Sequence, residues 1–287
     1  MIWSALALSA SLFWIDIGSK QALVCELPSL QACLHRLPLP ARHQLPDKPS
    51  GFNQLLGQRG AMVMAVEDRA IAGVIVLSPK NIPGSLSVNL SGSILSFPLE
   101  KTELMTLWHE AGHLEAIALT DNGLIDELTP YSHEWLADCY LAWRAVKETG
   151  SLALIWQQYH RRNLAMMQSV TAISHWTVPV LSQLLGRYSA QQLSQFDTFN
   201  ALMSEFLPLI TVPDSDTLAE FSSLVHRTFS TEVSQALPDY MFWRKAELGR
   251  YLKPTLAELL GEKTAGDWLK ERKMLTGDEG FHANSGH

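Results

Sequence analysis

A chain of 287 residues that is 47% apolar can bury a sizeable core, which argues against disorder and predicts one large domain or two subdomains. The formal net charge of −7, with no long block of like charges, lacks the basic footprint of a nucleic-acid binder. Nucleic acid is therefore not an expected partner.

The first segment, Met1 to Trp14, is almost wholly apolar. It is too short to span a membrane, so no stable transmembrane segment is expected there, and it suits the hydrophobic region of an export signal. Residues 1–22 are read as a possible signal peptide, with cleavage after Ala22. The fit is incomplete: no Lys or Arg precedes the apolar run, and Lys20 stands where a small residue is expected. An amphipathic or buried first helix is the alternative. The two readings place the protein in the periplasm or outside the cell, or else in the cytoplasm. Cys25 and Cys33 flank Pro28 and Ser29, where Ser29 is a candidate cap for a short helix through Leu30, Cys33 and Leu37. They can close a small disulfide in an oxidising compartment or remain two buried thiols. Cys139 has an apolar, helical setting and reads as core.

Leu37 to Gly60 is rich in Pro, Gly and polar residues and reads as an irregular connection. Ala61–Val66 and Ala70–Leu77 are β-favouring runs joined by Glu67, Asp68 and Arg69, which predicts a hairpin. A second hairpin pairs the alternating Leu86, Val88 and Leu90 with Ser93–Phe97, turning at Ser91 and Gly92 and ending at Pro98. From there the apolar period becomes helical. Leu104, Leu107, Trp108, Ala111, Leu114 and Ile117 mark a long helix capped by Thr102 and ended by Asp121, Asn122 and Gly123. Thr129 and Pro130 are a cap and first position for the next, which carries Trp135, Leu136, Cys139, Tyr140 and Trp143. Further helices are expected near residues 155–167, 178–185, 199–206, 218–229, 241–252 and 254–260. The fold class is α+β, a small antiparallel sheet followed by a mostly helical body. The expected divisions are a sheet-bearing subdomain at 23–100, a helical subdomain at 101–276 and a polar tail at 277–287.

His109-Glu110-Ala111-Gly112-His113 lies inside the long helix. Four residues are slightly more than one turn, so both imidazoles leave one face and can reach a single metal ion, with Glu110 beside them as the expected general base. Two neutral imidazoles leave a zinc ion needing one more protein ligand and an open position. Glu134 follows on the next helix, and antiparallel packing of the two helices would bring it to the histidines. Asp138, one turn further, is the expected acceptor for the second ring N–H of a ligand histidine. Gly112 is costly within a helix and implies close approach of another backbone or of substrate. His133, about 100° around the helix from Glu134, is expected to face elsewhere. Glu115, Asp126 and Glu127 are expected in solvent.

Taken together, His109 to His113 and Glu134-Trp135-Leu136-Ala137-Asp138 resemble the gluzincin pattern of the thermolysin clan. The resemblance covers Glu103 to Arg144. It implies one zinc ion held by His109, His113 and Glu134, hydrolysis of peptide bonds in a peptide or protein substrate, and a His or Tyr that stabilises the oxyanion. His175 is the first candidate for that role, ahead of His226, Tyr188 and Tyr240. The resemblance also implies that strand Ser93–Phe97 borders the cleft and binds extended peptide. Trp108, Trp135 and Trp143 are expected to pack between helices rather than line a substrate pocket.

Overall fold

The computed structural model describes residues 12–90, 92–229 and 241–275, excepting the side chains of Val170 and Phe242. The described residues fall into two compact units, one within Met1–Leu86, Pro98–Gln158 and Val180–Thr211, the other within Ser87–Phe97, Tyr159–Pro179 and Val212–His287. The expected division near residue 100 falls inside the first unit.

That unit begins with a hairpin, β1 (Leu12–Ile17) and β2 (Lys20–Glu26), turning at Gly18, whose φ of +54° is a left-handed value that glycine adopts without a Cβ penalty. Leu12 to Ala22 of the expected signal segment are thus strand and turn, not helix, while residues 1–11 lie outside the described residues. Removal after Ala22 would take β1 away and cut into β2. Three helices follow, α1 (Leu30–Leu34), α2 (Leu39–Arg42) and α3 (Pro49–Leu56), within and beside the stretch read as irregular. Prolines conceal α2 and α3 in the sequence. In both helices a proline occupies the first turn, where the absent N–H has no partner to lose. A disulfide joins Cys25 at the end of β2 to Cys33 in α1.

The first expected hairpin is present as β3 (Ala61–Ala65) and β4 (Ile71–Leu77). The four strands form one sheet in the order β1-β2-β4-β3, antiparallel except for the parallel β2–β4 pair. Central β4 is buried on both faces, as its nearly unbroken apolar run suits. On one face Leu23, Cys25, Val74 and Val76 join Leu30, Cys33, Phe52 and Leu56 in a single apolar cluster. The other face is covered by α4 (Thr102–Asp121), where Leu114 packs at Gly73. Helix α4 begins after Lys101, in the left-handed region with φ +47°, so Thr102 is its first residue and not its cap.

Helix α5 (Pro130–Thr149) packs along α4. Next come α6 (Ala153–Gln168), α7 (Val178–Arg187), α8 (Ala190–Gln195) and α9 (Phe199–Phe206). The chain passes between the units within β5 (Ser85–Leu90), between Phe97 and Pro98, within α6, within α7 and after Thr211.

The second unit holds most of a separate two-stranded ribbon, β5 with β6 (Ser93–Pro98), together with α10 (Ser215–Phe229), α11 (Phe242–Leu260) and α12 (Glu262–Glu271). Two helices were expected where α11 runs continuously through Pro254. A proline there removes an N–H from the helix ladder and opens the turn. One residue beyond the Arg250 carbonyl that Pro254 leaves without its usual donor, α6 ties the turn down: the Tyr159 hydroxyl and the Asn163 amide both donate to the Tyr251 carbonyl, at 2.8 and 2.9 Å. Asn163 also donates to Thr255 and accepts from the Trp176 indole, while His160 Nδ1 lies 2.9 Å from the Thr255 hydroxyl.

Burial holds the His160 imidazole down to about 4, against 6.5 for a free imidazole. Its contribution to stability is therefore complete above pH 6.5 and is lost as pH falls toward 4, where the unfolded chain is protonated and the folded one is not. The loss is on the order of 3 kcal/mol, since one pKa unit is about 1.4 kcal/mol. His160→Gln should flatten this limb of the stability profile, measured by denaturant unfolding from pH 7 to pH 4; an unaltered slope would show that His160 does not set it.

Candidate metal centre

The site is built from α4 and α5, which run antiparallel: His109 meets Asp138, Gly112 meets Ala137 and His113 meets Glu134. Local sequence fixes where α5 starts. The Thr129 hydroxyl accepts the Ser132 N–H at 3.0 Å, the Ser132 hydroxyl accepts the Thr129 N–H at 2.7 Å, and Pro130 takes the first position. This reciprocal cap satisfies two backbone donors and places Glu134 in the second turn of α5.

Gly112 lets the helices approach. A Cβ there would lie 2.6 Å from the Ala137 Cα and 2.7 Å from its carbonyl oxygen, well inside contact distance. Of the two explanations for this glycine, the structure supplies the first, a neighbouring backbone.

Nitrogen atoms of His109 and His113 and a carboxylate oxygen of Glu134 all lie within 4.8 Å of one another, close enough to hold one metal ion. The nearest approaches are 3.4 Å between His109 Nε2 and Glu134 Oε2, and 3.8 Å between His113 Nε2 and Glu134 Oε1. Burial, reinforced by the neighbouring His109, pushes His113 down to about 3, so its ring is neutral near pH 7, the form that ligates metal.

The ring nitrogens facing away from this cluster are treated differently. His109 Nδ1 lies 2.8 Å from the fully buried Asp138 carboxylate, and Gln158 donates to the same carboxylate oxygen at 2.8 Å. Asp138 thus lies against the second ring nitrogen of His109; Gln158, 20 residues downstream on another helix, carries no local sequence signal that would link it to the pair. His113 Nδ1 is buried with no hydrogen-bond partner among the described residues. Its ring instead lies against His133, with centroids 4.6 Å apart and planes at 15°. The expectation that His133 faces elsewhere is corrected: His133 is outside the converging ligand set but packs on one of its members. Glu110 is half-buried on α4 and is not one of the three converging groups.

Other acids divide as burial dictates. Asp126 and Glu127 are exposed. Glu115 is not: it is buried, accepts the Gly18 N–H at 3.0 Å, and burial raises it to about 7 despite that hydrogen bond and the nearby Arg144 charge. The apolar period that marks α4 as a core helix runs through this position and could have flagged it.

The candidate oxyanion residues lie in different settings. His175 is exposed at the end of a 3-10 turn in the second unit, where it pairs with Ser174, and His226 is exposed on α10. Tyr188 is a core residue: its hydroxyl donates to Glu205, and Phe196 and Phe206 pack edge-on against its ring. Tyr240 lies outside the described residues. Strand β6 pairs with β5 in a ribbon of its own, separate from the sheet beneath α4. Trp108, Trp135 and Trp143 are buried, consistent with helix packing.

No protein-family model, curated protein or solved structure matches this chain.

Gly112→Ala should destabilise the protein by about 1–3 kcal/mol, the usual cost of overpacking. Gly266→Ala on α12 is the control. Its Cβ would meet nothing within 4 Å, so the helix should gain up to about 1 kcal/mol. Thermal denaturation of both variants checks the pair; equal effects would contradict the close approach at Ala137.

Proposed function

We propose that the chain is a zinc-dependent metallopeptidase of the gluzincin kind, holding one zinc ion through His109, His113 and Glu134. The observation that carries this reading is the convergence of two imidazole nitrogens and one carboxylate oxygen from adjacent antiparallel helices. The donor set fits the group. Two imidazoles and one carboxylate are a ligand set of catalytic zinc, which leaves a coordination position open, whereas structural sites close all four. The buried Asp138 fits as well, because a carboxylate on the far nitrogen of a ligand histidine fixes its tautomer and strengthens it as a donor.

Zinc supplies a Lewis acid that acidifies a water molecule and polarises the substrate carbonyl. The remaining roles fall to this chain's side chains. Glu110 takes a proton from the attacking water as its oxygen adds to the carbonyl carbon. It returns that proton to the departing amine nitrogen as the carbon–nitrogen bond breaks. Asp138 and Gln158 hold His109 in place throughout. The substrate is a peptide or protein.

The Cys25–Cys33 disulfide supports an oxidising location, periplasmic or extracellular. No described helix is long and apolar enough to cross a membrane.

Purified protein should carry near-stoichiometric zinc by elemental mass spectrometry, and Glu134→Ala should lose most of it. Glu110→Gln should retain the metal while hydrolysis of a denatured protein substrate falls by roughly 10²–10⁴-fold, the range for loss of a general acid–base. Unchanged hydrolysis would remove Glu110 from the mechanism. Hydrolysis absent from the zinc-loaded wild type would leave a zinc-binding protein without this activity.

A further inference from the structure

The two ligand histidines are held in place by different means. His109 is tied by a hydrogen bond from Nδ1 to Asp138, but His113 has no equivalent, since its buried Nδ1 lacks a partner among the described residues. A ring without that bond can turn about its outer side-chain torsion, and such sp³–sp² torsions have broad wells. Rotation by a few tens of degrees would swing Nε2 away from Glu134. Something other than a hydrogen bond must therefore set its angle.

The structure offers one such contact on each side. The His109 ring meets His113 edge-on, with centroids 4.7 Å apart and planes at 74°. His133 lies nearly parallel to it, with centroids 4.6 Å apart and planes at 15°. A parallel ring at this distance allows His113 to slide but opposes its turning, since turning drives one edge of the imidazole into the neighbouring face. The backbone of His133 is itself fixed, because its N–H donates to the Thr129 carbonyl at 3.0 Å in the first turn of α5.

We propose that His133 is a positioning residue for the metal centre, acting through its ring face by stacking on His113, and not a ligand. This rests on the metal-binding reading of the site. It assigns to packing the task that Asp138 performs for His109 by hydrogen bonding. A flat ring should suffice for that purpose, and its nitrogens should not matter.

The test measures zinc affinity of the full chain by competition with a chromogenic chelator, for wild type, His133→Phe and His133→Ala. His133→Ala should bind zinc roughly 10-fold more weakly or worse, the effect typical of losing a group that orients a ligand. His133→Phe should restore affinity to within a few-fold of wild type. Cobalt-substituted protein gives a second readout, in which the visible absorption band of the wild type should be kept by His133→Phe and altered by His133→Ala. Thermal unfolding of the metal-free proteins detects any general loss of folding, which would move the melting temperature along with affinity. Equal weakening in both variants would overturn the proposal by showing that a ring nitrogen is needed, and unchanged affinity in His133→Ala would overturn it by showing that the stack is idle. Failure of the wild type to bind zinc would remove the metal centre itself, an outcome distinct from either.

Discussion

The approach of α4 to α5 at Gly112 is the constraint on which the convergence of His109, His113 and Glu134 depends. With a side chain there the helices would have to separate, because a Cβ would stand 2.6 Å from the Ala137 backbone. The Glu134 carboxylate oxygens lie 3.4 and 3.8 Å from the two Nε2 atoms, so separation of the helix axes would carry Glu134 away from both histidines. The helical cost of glycine, about 1 kcal/mol relative to alanine, is thus offset by tight helix packing and by a site that requires it.

Helix α4 is fixed from its other side as well. Leu114 packs at Gly73 of the central strand, where a Cβ would lie 2.4 Å from the Met64 carbonyl oxygen and 3.0 Å from the Leu114 side chain. One turn of the β1–β2 hairpin also reaches the helix, through the Gly18 N–H to Glu115. The metal face of α4 meets α5, and its opposite face meets the sheet. Both histidines of the cluster therefore sit on a helix clamped between two layers, as suits a site whose geometry has to be set before anything binds there.

Much of this was legible in the sequence because it rests on local rules. The His109–His113 spacing, the Thr129–Pro130 start of α5 and the β3–β4 hairpin follow from helix period, capping and turn chemistry, and the structure bears them out. The α+β class was legible for the same reason. What escaped were features set by tertiary contact. The β1–β2 hairpin escaped because its apolar strands share their composition with the hydrophobic region of an export signal. Helices α2 and α3 hid behind prolines that occupy harmless first-turn positions. Pro254 looked like a break because the groups that tie its turn to α6, Tyr159 and Asn163, lie 92 and 88 residues upstream of their acceptor. His133 was judged from its angle on its own helix, which cannot show that the ring of His113 comes to meet it.

X-ray absorption at the zinc edge of the metal-loaded protein counts and identifies the ligand atoms. A His109, His113 and Glu134 centre should give a first coordination sphere of nitrogen and oxygen only, with the multiple-scattering signature of two imidazoles. A third imidazole would make His133 a ligand, a sulfur would bring in a cysteine, and either result would contradict the His109, His113 and Glu134 centre.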